Sequence, residues 1–492
     1  MSLVPPSRIR VINERPVNPA GRFVVYWMIA ARRTRWHFGL ERAGEIARDL
    51  GRPLVVFEPL RCDYRWASDR LHRFVLDGMR ANAGALDGRA FYFPYVEPER
   101  GHGKGLLRAL AGHACAVVTD EYPGFFFPAM VAAAARQVPV RMEAVDSNGL
   151  IPISQHGRAF PTARGYRAFV QRELRGHLRA LPLEDPIPPG TLPRLNALPA
   201  DITSRWPAAD SRVLAGEPAA LASFPIDHSV PPVAVSGGSA AAAHTLRTFV
   251  TTRLAAYGED HNHPDADATS RLSPYLHFGH VSAHEVFAAV MSQERWTTRK
   301  LAAKGGGARE GWWGVSASAE MFLDQLAVWR EVAFNGSAWT PGFNSYDSLP
   351  AWARRTIEEH LGDPRPHDYG EDVLDAAATG DEVWNAAQRQ LQVEGWFHGY
   401  ARMLWGKKIF EWSKEPADAL LRMEHLMNRY SLDGRDPVSY ASFGWVLGRY
   451  DRPWFERPIF GTVRYMTSAS AKRKLKMKAW LQRYARPSLL LP

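Results

Sequence analysis

The 492-residue chain is too long for one compact core, which makes two domains the natural division, and its 46% hydrophobic and 23% charged content is that of an ordinary globular protein. No apolar run approaches the roughly 20 residues a bilayer span needs, the opening Met1–Pro6 lacks a signal-peptide core, and Cys62 and Cys115 are too few for a disulfide framework or a cysteine-built metal site, so the expected location is cytoplasmic. A net charge of +10 and pI near 9.6 suit a polyanionic partner, although solvated lysine and arginine explain charge alone equally well.

In chain order, Phe23-Val24-Val25-Tyr26-Trp27-Met28 predicts a buried strand, followed by a helix that runs to Leu50. Further strands are expected at 53–57, 90–95, 116–120 and 138–145, with a helix near 68–83 between the first two. This alternation predicts an α/β domain over 20–175, a parallel, doubly wound sheet with helices on both faces. No Gly-x-Gly-x-x-Gly follows the first strand, so an ordinary dinucleotide site there is unsupported. Residues 176–240 are rich in Pro, Ala and Ser and read as an interdomain linker. From 241 to 485 the pattern is helical, giving an all-α second domain with Gly305-Gly306-Gly307 as a loop between helices. The dense basic stretch 472–478 favours nucleic acid or another anion. Most of the 17 tryptophans lie from Trp296 onward, where they serve as core filler or as an oxidisable, base-stacking set.

The strongest local signal is Tyr257 followed, 12 positions on, by Thr269-Ser270-Arg271-Leu272-Ser273-Pro274-Tyr275-Leu276-His277-Phe278-Gly279. Hydroxyls, backbone amides and an arginine opening a helix suit an anion, and equally a helix cap. The full string resembles the FAD-binding segment of the photolyase/cryptochrome superfamily. Val145-Asp146-Ser147-Asn148-Gly149-Leu150, Trp384-Asn385-Ala386-Ala387-Gln388, Arg402-Met403-Leu404-Trp405-Gly406-Lys407-Lys408, Glu411-Trp412 and Leu432-Asp433-Gly434-Arg435-Asp436-Pro437 are similar to class II DNA photolyases. So are Tyr450-Asp451-Arg452 and Glu456-Arg457-Pro458-Ile459-Phe460-Gly461, and the likeness runs from about residue 20 to 485.

That resemblance implies a photolyase fold, FAD bound by Tyr257, Thr269, Ser270, Arg271, Leu272, Ser273, Asn385, Gln388, Arg402, Asp433 and Asp436, and light-dependent repair of cyclobutane pyrimidine dimers in DNA. For Asp433 and Asp436 a turn or helix cap is the structural alternative. Trp405, Trp384 and Trp412 would carry electrons, in that order from the flavin toward solvent. The seven-residue step from 405 to 412 puts those two on one helix face, a spacing that core packing also produces. Glu331 would contact the dimer, its alternative being a surface ion pair. Trp445 and Trp454 would pack against the flipped lesion, and Arg452 would meet phosphate or pair with Asp451. An antenna chromophore, deazaflavin or folate, would occupy the first domain; no metal and no membrane is implied, and a monomer is expected. Two positions depart from the class II pattern: Met427 stands where an asparagine is expected close to flavin N5, and Val438 replaces a second amide. They favour the alternative of a cryptochrome-like blue-light photoreceptor, or a diverged flavoprotein, without dimer repair.

Overall fold

The apolar runs form the strands. In the computed structural model, which describes residues 3–485, Phe23–Trp27 (β2), Leu54–Leu60 (β3), Phe91–Val96 (β4), Ala114–Asp120 (β5) and Met142–Val145 (β6) lie parallel, with a short strand Ile9–Val11 (β1) ahead of them. The sheet order is β1-β6-β5-β2-β3-β4. Every residue of β2 and β5 is buried, as helical layers on both faces of a parallel sheet require. The expected all-parallel sheet acquires one antiparallel edge, since β1 sets Ile9 opposite Val145. Three residues are too few to give a periodic signal, so β1 is silent in the sequence.

Helices Phe38–Asp49 and Asp69–Leu86 follow β2 and β3, and Ser68 caps the second through the N–H of Leu71. Phe38, Leu40, Ala43 and Ala47 pack with Val24, Tyr26, Val56 and Val118 in one core cluster. The stretch read as a linker contains short helices Ala200–Arg205, Ser211–Leu214 and Pro218–Leu221, and Leu221 and Phe224 join a cluster with Leu60, Val75 and Met79. Anchors this isolated leave no helical period to read.

By internal contacts the chain divides into two units. One comprises the chain through Gly157 with Glu173–Arg247 and Arg271–Ser292; the other comprises Arg158–Arg172, Thr248–Ser270 and everything from Gln293 onward. The second unit is helical, and two of its helices are interrupted by π turns, Phe249–Arg253 and Gln325–Trp329. Arg167 clamps the latter helix from a neighbouring segment through Nε and Nη2 to the buried Asp324, at 2.6 and 2.9 Å. Among the described residues no helix is long and apolar enough to cross a membrane.

At the end of β2, where a dinucleotide's phosphate would need free backbone amides, the amides are already used. The N–H groups of Ile29, Ala30 and Ala31 donate to Asp120 Oδ2 at 3.0, 2.8 and 3.0 Å, while Tyr26 and His37 meet Oδ1. Burial works to raise the Asp120 carboxyl, but hydrogen bonds and charge from His37, with those from Tyr26 and Ala30, hold it well below the usual range. Because the folded value lies below the unfolded one, about 3.9, the stability this group supplies is complete above that value and is lost as pH falls through the folded one. Asp120→Asn is therefore expected to cost about 2–4 kcal/mol near neutral pH, since an amide sets its own N–H groups against a cluster of donors. Urea unfolding measures this, and an unchanged midpoint would contradict it.

Candidate active site

Helix Glu382–Glu394 begins at Asp381, whose carboxylate accepts from the N–H groups of Val383 and Trp384 at 3.1 and 3.0 Å. It ends at Gly395, whose φ of +65° suits a left-handed C-terminal cap. Against it packs helix Gly399–Trp412, and three indoles close the seam. Trp384 and Trp405 lie parallel, 6.2 Å between centroids and 4° between planes. Trp384 meets Trp412 edge-on at 5.5 Å. Trp384 Nε1 donates to the backbone oxygen of Trp405 at 3.1 Å, and Trp405 Nε1 donates to Gln388 Oε1 at 2.9 Å. The spatial order is thus 405, 384, 412. Trp412 itself is only 2% exposed and is covered by the half-buried Tyr369, edge-on at 4.9 Å, which in turn stacks on the exposed His367 at 5.1 Å. Sequence reasoning missed Tyr369 because it lies on a loop far from the tryptophan strings.

Next to this column sits a cluster of ions. Arg402 Nη2 donates to both oxygens of the buried Asp433, at 3.0 and 2.9 Å, and Ser431 Oγ donates to the same carboxylate. The Arg402 guanidinium lies 5.2 Å from the ring centre of Phe397, which itself meets Trp405 edge-on at 5.7 Å. Two buried donors here have no partner among the described residues, Gln388 Nε2 and Arg402 Nε. Each is costly to leave unmade, so the pair fits a ligand rich in hydrogen-bond acceptors, as a flavin is.

Other candidates take more structural positions. Asn385 is committed to a loop: its oxygen accepts from Thr379 N and Oγ1 at 3.0 and 2.8 Å, and its nitrogen donates to Thr379 O at 2.7 Å. Asp436 caps helix Pro437–Val446 by accepting from Val438 N at 2.8 Å, which is the cap weighed above. Tyr257, buried, lies edge-on to Phe322 at 5.4 Å and to Phe249 at 5.8 Å. Thr269 and Ser270 belong to the helical unit, whereas Arg271, Leu272 and Ser273 belong to the other. Arg271 adopts a left-handed φ of +56° immediately before the five-residue helix Ser273–His277. Gly279 (φ +72°) ends that string where a Cβ would lie 2.2 Å from the carbonyl oxygen of Ala30, so only glycine fits.

Glu331, two residues past the end of the π turn Gln325–Trp329, is 2% exposed, so it is a buried carboxyl rather than a surface one. π turns recur at functional sites because the extra residue re-aims side chains. One turn further on, Asn335 holds Phe160 N and Arg158 O at 2.9 and 2.7 Å. Trp445, Arg452 and Trp454 fall in one basic-aromatic patch. Arg464 lies 4.0 Å from the Trp454 ring and 5.8 Å from the Trp445 ring, and pairs with Asp451 at 2.7 Å. Arg452 lies 5.5 Å from the Trp454 ring, and Phe455 is 86% exposed. Arg464 and the buried Lys407, whose Nζ is 5.0 Å from the Trp445 ring, were not expected from the sequence. Loop connection and burial hide both from any periodicity.

The chain is 31% identical over 97% of its length to the deoxyribodipyrimidine photo-lyase of Methanothermobacter thermautotrophicus, 98% of which is covered. It is 32% identical over 96% of its length to the photo-lyase of the same name from Oryza sativa, covering 90% of that chain. In fold it matches a class III photolyase from Agrobacterium tumefaciens with a TM-score of 0.65 at 16% identity, over 94% of this chain and 86% of that one. No protein-family model matches the chain. With its parallel sheet, helical unit and near full-length relatives, the chain belongs to the photolyase/cryptochrome superfamily.

Burial of Lys407, against a single donated bond to Val446 O at 2.6 Å, lowers its pKa to about 7. Between that value and the unfolded one, about 10.4, the unfolded chain binds the extra proton, so stability rises with pH across this window. Lys407→Met is expected to remove that rise, up to about 4 kcal/mol, and to leave a flatter profile. Thermal melts from pH 7 to pH 10 on both proteins check it; parallel profiles would contradict it.

Proposed function

We propose that the protein binds FAD in its helical unit and splits cyclobutane pyrimidine dimers in damaged DNA under light. The observation that carries this reading is the buried column of three indoles ending at Gln388, beside two unpartnered buried donors, in a chain related over its whole length to proteins named for that activity. FAD, when bound and reduced, supplies the light-driven electron donor. Gln388 and Arg402 would hold its acceptor atoms, with Asp433 fixing the Arg402 guanidinium. Glu331 would hold a proton at a pyrimidine carbonyl of the lesion as negative charge builds there. Arg452 and Arg464 would neutralise phosphates, and Trp445, Trp454 and Phe455 would face unstacked bases; extruding a damaged pair costs less than extruding an intact one. The indole column would return electrons to the cofactor from outside, with Tyr369 as its outermost ring.

A second reading, a photoreceptor without repair, rests on Met427, which is fully buried and offers no amide to a cofactor. Illuminating flavin-reduced protein with a dimer-containing oligonucleotide separates the two: repair restores thymine absorbance, and a dark control does not. No recovery with intact flavin present leaves a photoreceptor or a diverged flavoprotein without dimer repair. Glu331→Gln is expected to lower repair about 10- to 100-fold at unchanged flavin content. Trp405→Phe is expected to suppress flavin photoreduction while repair by chemically reduced protein persists; unchanged photoreduction would remove the column from the path.

A further inference from the structure

We propose that Gln388 is a positioning residue that keeps the proton on the innermost indole, so that charge crosses the inner tryptophans as electrons alone; this rests on the flavin reading above. An indole nitrogen can only donate, so the amide of Gln388 must turn its oxygen to Trp405 Nε1, 2.9 Å away. Its NH₂ end is then left for another acceptor, and among the described residues that end has none. Gln388 is thereby fixed with its acceptor toward the indole, and its donor would be met by an acceptor atom of the cofactor.

The protonation consequence follows from the acceptor's chemistry. When Trp405 gives one electron to the photoexcited flavin, the flavin is reduced by one electron and the indole becomes a radical cation. The N–H of that radical cation is far more acidic than that of neutral indole. An amide oxygen is a much weaker base than a carboxylate or an imidazole, so it steadies the N–H without removing the proton. Trp384 then refills Trp405 with one electron, and its own N–H rests on another amide oxygen, the backbone carbonyl of Trp405 at 3.1 Å. Both inner indoles, buried from water, therefore lack a base on the ring nitrogen. The positive charge moves outward to Trp412 and on to Tyr369, the outermost ring, which gives up one electron and releases its phenolic proton to solvent; a thiol then restores the phenol by giving back one electron and one proton. Proton loss at an inner ring would instead trap the charge on it as a neutral radical.

The test is time-resolved absorption after a light flash on the full-length, flavin-loaded protein, where indole radical cations and neutral radicals have distinct spectra. In the wild type the inner steps are expected to show only cation spectra and equal rates in H₂O and D₂O. Gln388→Glu places a base on the ring nitrogen and is expected to yield the neutral radical at Trp405, with a charge-separated state about tenfold longer lived. Gln388→Leu, which removes the hydrogen bond without adding a base, should keep the cation spectrum; a purely packing role would make the two variants alike. Wild-type inner steps slowed about twofold or more in D₂O, a neutral inner radical in the wild type, or a Gln388→Glu variant indistinguishable from wild type each overturns the inference. Should Gln388→Glu not fold, Gln388→His, which also places a base on the ring nitrogen, takes its place and is expected to give the same neutral radical. Wild-type protein that takes up no flavin overturns the parent reading as well, an outcome plainly different from a flavin-loaded protein with the wrong radical.

Discussion

A buried N–H must find an acceptor or cost about 1–3 kcal/mol, and the helical unit answers that demand for two indoles at once. Trp384 on one helix takes the backbone oxygen of Trp405 on the next, and Trp405 takes the side-chain oxygen of Gln388 on the first. The two bonds run in opposite directions across the seam, so sliding either helix by one residue breaks both. Ring separations of 6.2 and 5.5 Å are therefore set by hydrogen-bond register rather than by general apolar packing. Gly406, next to Trp405, lets other helices close in: a Cβ there would stand 2.6 Å from Val446 Cγ2 and 3.0 Å from Met423 Sδ. Helices Pro416–Tyr430 and Pro437–Val446 approach at this point, and Asp433, on the turn between them, meets Arg402.

Both units treat their buried ions alike. Asp120 collects three backbone N–H groups as well as Tyr26 and His37, Asp324 receives two nitrogens of Arg167, and Asp433 faces Arg402. Fully satisfied, such a group specifies one arrangement; half satisfied, it is a large penalty. Lys407 is treated differently: it is a buried amine with neighbouring rings and one carbonyl, and its lowered pKa is the cost of that environment. Asp120 also explains why the first unit carries no glycine-rich phosphate loop after β2: a protein carboxylate holds the amides that a phosphate would need.

The sheet was legible because its strands are apolar on both faces, and the step from 405 to 412 was legible because one helix face repeats at that interval. What escaped the sequence depends on contacts between distant segments. The 4° stack of Trp384 on Trp405 joins two helices and has no sequence period. Tyr369 reaches Trp412 from a loop, and Arg464 reaches Trp454 after a turn of irregular chain. β1 pairs three residues with a partner more than a hundred positions away. Asn385 and Asp436 sit in strings that read as cofactor contacts, yet Asn385 bonds to Thr379 and Asp436 caps a helix. A motif marks which residues matter to a fold; it does not say which partner each one keeps.

Met427 and Gln388 place opposite hydrogen-bonding demands on two buried positions of the helical unit. Gln388 is buried with half its amide engaged, so a bound acceptor would meet its remaining donor, and binding would gain what folding gave up. Met427 is equally buried, but a thioether asks for no hydrogen bond, so its site is satisfied whether or not a ligand is near. An asparagine there would, like Gln388, bring a buried amide that needs partners of its own. Next to it, Asn428 is already spent on structure: its oxygen accepts from Arg435 N at 2.7 Å and its nitrogen donates to the Tyr440 hydroxyl at 3.2 Å. It has no amide group to lend to the neighbouring position. On the flavin reading proposed above, the chain would keep a polar grip at Trp405 and drop it at Met427, which would separate control of electron entry from control of the flavin's own proton.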